Sequence, residues 1–184
     1  MARTRGAILA ATEACVAERG ARATTMSAVA VRGRVAKATL YNHFRTKAEL
    51  LEAVILARIE SCRTTSLAAP DLLTALRLAA ATLRGLPAVA GLVQHDPAAL
   101  ARLTVASDGP ASVAARAAVT EVLARHGRTS DAAAGELVLR WLVSQLLWTG
   151  SAAEAELATS ILAAGLPVAG APTSAPSRDS MEPE

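Results

Sequence analysis

In residues 24–51, helix-capping and turn-forming residues follow one another so closely that the segment can form little except short helices joined by tight turns. Thr25 is a good N-cap for a helix that runs to about Gly33. The pair Gly33-Arg34 then marks a turn, and a second short helix covers residues 36–44. Two short helices about a tight turn are the layout of a helix-turn-helix unit.

Longer helices are predicted on both sides of this pair. Residues 3–19 place apolar side chains at helical spacing, and Gly20 is a good helix stop. Thr46 and Glu49 form a capping box that starts a helix running to about residue 64.

Composition favours helices throughout the rest of the chain. Hydrophobic residues make up 52% of the 184 residues but aromatic residues only 2%, so the core is built from Leu, Val and Ala. Alanine is the best helix former, whereas strand-forming residues are sparse. Caps and breakers predict further helices at about 71–85, after Asp96-Pro97, and at 110–126, 131–149 and 151–164. The prediction is an all-α protein of about nine helices.

These elements divide into three regions. Residues 1–47 are predicted to form a three-helix, helix-turn-helix DNA-binding domain. Residues 48–165 are predicted to form a helical ligand-binding and dimerisation domain, with helix 47–64 connecting the two. Residues 166–184 are rich in Gly, Pro, Ser and Thr and are predicted to be a disordered tail.

Charge is unevenly distributed along the chain. Residues 1–60 hold ten Lys and Arg against five Glu, a balance of +5. Residues 61–184 hold nine Arg against eleven acids, a balance of −2, and the two add up to the net charge of +3. A basic N-terminal part suggests contact with a polyanion, although a solvated charged surface would show the same balance.

The N-terminal segment resembles the TetR family of transcriptional regulators, in one register and without a gap over about 45 residues. The matching positions are Ile8-Leu9, Ala11, Gly20, Thr25, Val29-Ala30, Val35, Thr39-Leu40-Tyr41, His43-Phe44, Lys47 and Leu50-Leu51. The resemblance implies a homodimer of all-helical subunits that binds double-stranded DNA through its N-terminal domain. It also implies a variable C-terminal domain that binds a small molecule and releases DNA.

Several DNA contacts follow from this resemblance, position by position. Thr25, Tyr41, His43 and Lys47 are expected to contact phosphates. Lys37 and Thr39, in the helix that enters the major groove, are expected to lie near bases. Arg34 is also expected to contact a phosphate, with a solvated side chain as the alternative.

Four positions at the turn and the start of the second short helix depart from the family's pattern. Gly33-Arg34 replaces the usual Ala-Gly, so either the turn shifts onto Gly33 or Arg34 adopts a positive φ. Ala36 replaces a Ser that would cap the second helix, and Ala38 replaces a Gly. A helical dimeric protein-interaction module with a degenerate DNA-reading unit is therefore the alternative function.

The C-terminal region offers weaker signals. The residues proposed to contact a ligand are Gln94, Arg102, Trp141, Gln145 and Trp148. The pocket is expected between helices 71–85, 110–126 and 131–149, with an apolar or weakly polar ligand. Core packing or a dimer interface is the other interpretation of the two tryptophans, and helices 131–149 and 151–164 are expected to form that interface with their twofold mates.

Other function classes find no support in the sequence. No catalytic constellation, cofactor motif or metal-ligand spacing can be singled out, so the protein is expected to be neither an enzyme nor a metalloprotein. Without a signal peptide or an uncharged apolar run of about 18 residues, a cytoplasmic protein outside the membrane is expected. The leading hypothesis is a ligand-responsive repressor that binds a palindromic operator as a dimer.

Overall fold

A computed structural model describes residues 2–98, 109–129, 131–147 and 150–170. Within these residues the chain forms nine α-helices and one short 3-10 turn, so the prediction of an all-α fold of about nine helices is confirmed. The helices are α1 Ala2–Ala23, α2 Met26–Arg32, α3 Lys37–His43, α4 Lys47–Leu67, α5 Leu72–Arg84, α6 Pro87–His95, α7 Pro110–Arg125, α8 Ala132–Ser144 and α9 Ala152–Gly165. The 3-10 turn, Gln145–Leu147, directly follows α8.

Side-chain caps set most of these helix starts, as the sequence predicts. The hydroxyl groups of Thr25, Thr46 and Ser151 each accept a hydrogen bond from the backbone N–H three residues on. The carboxylates of Asp71 and Asp131 do the same for α5 and α8. These bonds satisfy N–H groups that a helix start leaves unpaired.

The elements differ from the predicted ones in several places. The helix α6 was not predicted, and the helix predicted after Asp96-Pro97 lies largely outside the described residues. Gly20 adopts φ 76° and kinks α1, but helical backbone resumes and reaches Ala23. The helix predicted over 131–149 ends as an α-helix at Ser144 and tightens into the 3-10 turn.

The two larger hydrophobic cores lie at opposite ends of α4. The first, which we call the N-terminal cluster, joins α1, α2, α3 and the start of α4 and includes Ile8, Val29, Leu40, Phe44 and Leu50. The second joins α5, α7, α8 and α9 and includes Leu72, Leu76, Val119, Leu123, Val138 and Ala163. Because α4 continues from the first core towards α5 and α7, it connects the two.

The segment directly after α9 contacts the second core. Leu166 is buried in that core. The Thr129 N–H donates to the Pro167 carbonyl, and an isolated antiparallel bridge joins Arg128 and Val168. Residues 171–184, most of the tail predicted from residue 166, lie outside the described residues.

No single helix among the described residues is long and apolar enough to cross a membrane. Taken together, α5 and α6 reach that length and composition, but the pair is bent by 46°.

Candidate nucleic-acid interface

The two short helices of the N-terminal cluster meet at a turn with a regular helix-ending geometry. The Val35 N–H donates to the Ala30 carbonyl at 3.0 Å, and the Arg34 N–H donates to the Val31 carbonyl at 3.2 Å. This pair of bonds is a Schellman motif, which requires a residue in the left-handed region just beyond the helix. Arg34 is that residue, with φ 52°, whereas Gly33 is right-handed at φ −75°.

Gly33 lies at a close approach of α2 to α1. A Cβ on Gly33 would lie 3.1 Å from the Val29 carbonyl oxygen and 3.3 Å from the Ala11 Cβ on α1, which is tight but leaves room for small shifts. The Schellman motif places the left-handed conformation at the next residue. Of the two predicted alternatives, the structure has the turn centred on Arg34.

The helix α3 is held by its apolar side and presents its polar side outward. Leu40 is fully buried and Phe44, the C-cap residue, is 3% exposed. Lys37 is exposed, Thr39 is partly buried and Tyr41 is 49% exposed. The N-cap, Ala36, makes no side-chain hydrogen bond, as its replacement of Ser predicts.

Acidic side chains around the N-terminal cluster are held in ion pairs and in a helix cap. Glu18 pairs with Arg32, Glu13 with Arg58, and Glu49 accepts from the Arg45 N–H. The hydrogen bond from Arg32, with a further one from Arg19, holds the pKa of Glu18 below its ordinary value, so this carboxylate stays ionised.

Two cations, one in the turn and one at the start of α3, remain available. Arg34 and Lys37 are exposed, and neither forms an ion pair with any acid among the described residues. The turn and the start of α3 therefore present uncompensated positive charge.

Lys47 has an internal role that its sequence position did not reveal. Its Nζ donates to the carbonyls of Ala21 and Arg22, at 3.2 and 3.0 Å. The Arg22 N–H in turn donates to the Asp96 carboxylate, at the end of α6, at 3.1 Å. Lys47 and Asp96 thus hold the segment after the Gly20 kink, which leads directly into the Thr25 cap.

The remaining predicted contact residues lie at the two ends of the helix pair. The Thr25 hydroxyl is exposed and caps α2 by accepting from the Ala28 N–H at 3.2 Å. His43 ends α3, with its ring centroid 6.3 Å from that of Phe44.

Three of the five residues predicted to contact a ligand lie within the described part of the chain. Gln94 is exposed on α6, while Arg102 and Trp148 lie outside the described residues. Trp141 and Gln145 lie together, and the Gln145 side-chain amide donates to the Trp141 carbonyl at 3.3 Å. Gln145 is only 1% exposed, and its Oε1 accepts from Arg84 at 2.6 Å.

The space expected between α5, α7 and α8 is filled by packed apolar side chains, among them Leu76, Val119 and Val138. An open cleft of about 450 Å³ lies instead between α5 and the start of α9. Its lining includes Arg77, Arg84, Ser151, Glu156 and Thr159. Among the described residues, no group of three or more His, Cys, Asp or Glu side chains is arranged to hold a metal ion.

The buried anchors of α3, its outward polar side and the Schellman turn define a helix-turn-helix DNA-binding protein. Residues 8–54 match the family model described as bacterial regulatory proteins, tetR family. These residues therefore form a DNA-binding domain of the TetR family, and the resemblance found in the sequence is confirmed for this segment.

Solved structures with the same fold extend the likeness beyond that segment. The TetR-family repressor AlkX from Dietzia sp. strain DQ12-45-1b, implicated in biodegradation of n-alkanes, is 23% identical with a TM-score of 0.64. The match covers 87% of this chain and 93% of AlkX. A putative TetR-family regulator from Mesorhizobium loti MAFF303099 is 22% identical with a TM-score of 0.56, over 91% of this chain and 98% of that one. A search of curated protein sequences finds no significant match.

Proposed function

We propose that the whole chain is a TetR-family transcriptional regulator, a repressor that binds a palindromic operator as a homodimer and is released by a small molecule. The observation that carries the DNA-binding part is the outward side of α3, where Lys37, Thr39 and Tyr41 follow the unpaired cation of Arg34. AlkX, which shares the fold, is a repressor, and for that reason we propose repression rather than activation. TetR-family regulators are generally not enzymes, and we propose no catalytic activity here.

In the proposed complex, α3 enters the major groove. Lys37 and Thr39 lie near base edges, whereas Arg34, Tyr41 and His43 contact phosphates. Thr25, already the cap of α2, has a hydroxyl hydrogen to donate to a phosphate. Lys47 uses two of its three donors on carbonyls, so we propose that it orients the Thr25 segment and contacts a phosphate with the third.

Exposed leucine and isoleucine side chains support a dimer through the last two helices. Leu157 and Ile161 are 62% and 64% exposed and lie four residues apart, on one side of α9. Leu137 is exposed on α8. Burial of these side chains against a twofold mate would remove apolar surface from water and place the two α3 helices roughly 34–36 Å apart, one turn of DNA.

A ligand contact is proposed at Trp141 and Gln145. The indole N–H of Trp141 is buried and has no hydrogen-bond acceptor among the described residues. A buried donor without an acceptor is uncommon, so the position favours a weakly polar ligand that brings a carbonyl or ether oxygen. Gln145 accepts a hydrogen bond from Arg84, and Arg84 lines the cleft between α5 and α9.

DNA binding is tested first, by fluorescence anisotropy at two salt concentrations. The duplexes are the region upstream of the protein's own gene and a random sequence of equal length. We expect tight binding of the upstream duplex that weakens steeply with salt, because phosphate contacts release counterions. Tyr41→Phe, which removes only a hydroxyl, is expected to weaken binding to both duplexes alike, whereas Lys37→Ala alters the preference between them. Weak and equal binding of both duplexes would instead support a helical protein-interaction module.

The dimer is tested with Leu157→Glu and Ile161→Glu, measured by sedimentation velocity. Each variant is expected to shift the protein to monomer and to weaken operator binding, since a charge in an apolar interface is costly. Val113→Glu, on a comparably exposed residue of α7, is the matched control and keeps the dimer. A wild-type protein that sediments as a monomer at all concentrations would overturn this part of the proposal.

The ligand contact can be tested by fluorescence because the chain has only two tryptophans, Trp141 and Trp148. Intrinsic tryptophan fluorescence therefore reports on this part of the chain alone. Compounds that change it are expected to release operator DNA in the anisotropy assay. In Trp141→Phe, which lacks the indole N–H, we expect weaker binding of ligands that carry an oxygen acceptor. Release by compounds that bind Trp141→Phe as tightly as wild type would place the ligand elsewhere.

A further inference from the structure

Arg5 lies beside the carboxyl end of α3, although it is almost forty residues away in sequence. It belongs to the start of α1, and its guanidinium carbon lies over the Phe44 ring, 5.6 Å from the centroid. A guanidinium over a ring face is attracted by the negative charge of that face. The Phe44 ring thereby restrains an exposed cation next to His43, the last residue of α3.

Core packing makes this arrangement part of the fold. Ile8, three residues after Arg5 and therefore on the next turn of the same side of α1, is fully buried. It shares the core of the N-terminal cluster with Leu40 and Phe44 of the α3 segment. The start of α1 consequently keeps a constant position relative to α3.

No acid among the described residues compensates the charge of Arg5. The first turn of α1 holds no acid, and Arg5 forms no ion pair with any of the residues described. A cation near the amino end of a helix is also disfavoured by the helix dipole, which is positive there. The helix dipole therefore does not favour an arginine at this position, whereas the Phe44 ring and a nearby polyanion do.

We propose that Arg5 is a further phosphate contact of each subunit, positioned by the Phe44 ring at the end of α3 opposite to Lys37. This rests on the proposed entry of α3 into the major groove. A guanidinium can donate from its edge to phosphate oxygens while its face remains on an aromatic ring. The contact adds affinity at the edge of each half-site without reading a base.

The test is the salt dependence of DNA affinity for Arg5→Gln, Arg5→Lys and wild type, on the duplexes described above. Because Arg5→Gln removes one phosphate interaction from each subunit, it is expected to reduce the slope of log affinity against log salt by about 1.8 for a dimer. If the affinities converge near 1 M salt, Arg5→Gln then binds roughly 60-fold more weakly at 0.1 M. Arg5→Lys keeps the charge and is expected to retain most of the slope.

Arg125→Gln is the matched control, with the same change of charge on an exposed arginine of α7. It is expected to leave the slope unchanged, which separates a local contact from the effect of net charge. Thermal unfolding of each variant is measured alongside. A purely structural role of Arg5 would lower the melting temperature of Arg5→Gln and leave its salt slope at the wild-type value.

The two proposals fail in distinguishable ways. If wild type binds DNA and Arg5→Gln has the same slope and affinity, the assignment of Arg5 is wrong while the proposed function stands. If wild type binds neither duplex at low salt, the proposed DNA-binding function is wrong and Arg5 has no phosphate to contact.

Discussion

Arg34 occupies a backbone conformation that favours glycine, at the one position of the turn where a left-handed residue is required. Gly33 lies where α2 approaches Ala11 of α1, and a side chain there would be tight against the Val29 carbonyl. The Schellman turn then needs a left-handed residue one position later, and that residue is an arginine at φ 52°. A left-handed conformation costs a residue with a Cβ about 1–2 kcal/mol, and the same side chain contributes positive charge to the proposed DNA interface.

Arg34→Gly is expected to raise the free energy of unfolding by up to about 1 kcal/mol, which is the relieved strain less the added chain entropy of glycine. DNA affinity is expected to fall at the same time, since the variant has no cation to bind the phosphate. Urea unfolding and the anisotropy assay measure the two effects separately. Arg34→Asn, which tolerates the left-handed region, is the companion variant. A decrease in stability in both variants would show that Arg34 is not strained.

Ala36 leaves the start of α3 without a side-chain cap. Ala36→Ser is expected to stabilise the protein by about 1 kcal/mol, because the hydroxyl can accept from an unpaired N–H of the first turn. Ala38→Ser, two residues into the same helix, is the control and is expected to bring no gain. Equal urea midpoints for Ala36→Ser and wild type would mean that water already satisfies this helix start.

The contact between α1 and α6 is the most extensive helix pair in the part of the chain described. It depends on backbone proximity, because a Cβ on Gly91 would lie 2.4 Å from the Val16 carbonyl oxygen and 2.6 Å from the Ala17 Cα. Gly20 is also confined, because a Cβ on Gly20 would lie 2.9 Å from the Cβ of His95. The helix α6 therefore rests directly on the backbone of the DNA-binding segment.

Gly91→Ala is expected to lower the free energy of unfolding by about 1–3 kcal/mol, because α6 must shift away from backbone atoms that cannot rotate aside. Gly135→Ala is the matched control in α8, where the nearest heavy atom lies at 4.0 Å. There, alanine is expected to stabilise by up to about 1 kcal/mol through helix propensity. Opposite signs for the two variants in urea unfolding would support the close contact. A stabilising Gly91→Ala would contradict it.

Across the whole molecule, ion pairs connect helices that are distant in sequence. Arg58 joins α4 to Glu13 of α1, Arg63 joins α4 to Glu121 of α7, and Arg77 joins α5 to Glu156 of α9. These pairs lie at or near the surface, where each one contributes little by itself.

Acid is expected to weaken the fold through its carboxylates. Hydrogen bonds from arginines hold the pKa values of Glu18, Glu60 and Glu136 below their ordinary value of 4.5. Because the folded-state pKa is depressed, the stabilisation is complete above pH 4.5 and is lost as the pH falls through the lower, folded-state values. Thermal unfolding between pH 7 and pH 3 is expected to show a plateau followed by a decline that starts near 4.5. A melting temperature constant down to pH 3 would show that these pairs contribute nothing measurable.

Local interactions explain what could be predicted from the sequence. The caps at Thr25, Thr46 and Ser151 were predicted correctly because each depends on a donor only three residues away. The turn before α3 and the missing cap at Ala36 were predicted for the same reason. Side chains with distant partners were not: Asp96 bonds Arg22 across 74 positions, a contact that no local pattern indicates.

The sequence by itself determined the all-helical class, most helix starts and the register of the DNA-binding segment, because propensity, capping and periodicity act within a few residues. Only the structure decided between Gly33 and Arg34 as the left-handed residue of the turn, through the hydrogen bonds that end α2. It also decided that Lys47 bonds internal carbonyls and that Arg5 rests on Phe44. The last two outcomes depend on residues brought together by packing, and packing couples positions whose separation along the chain carries no signal.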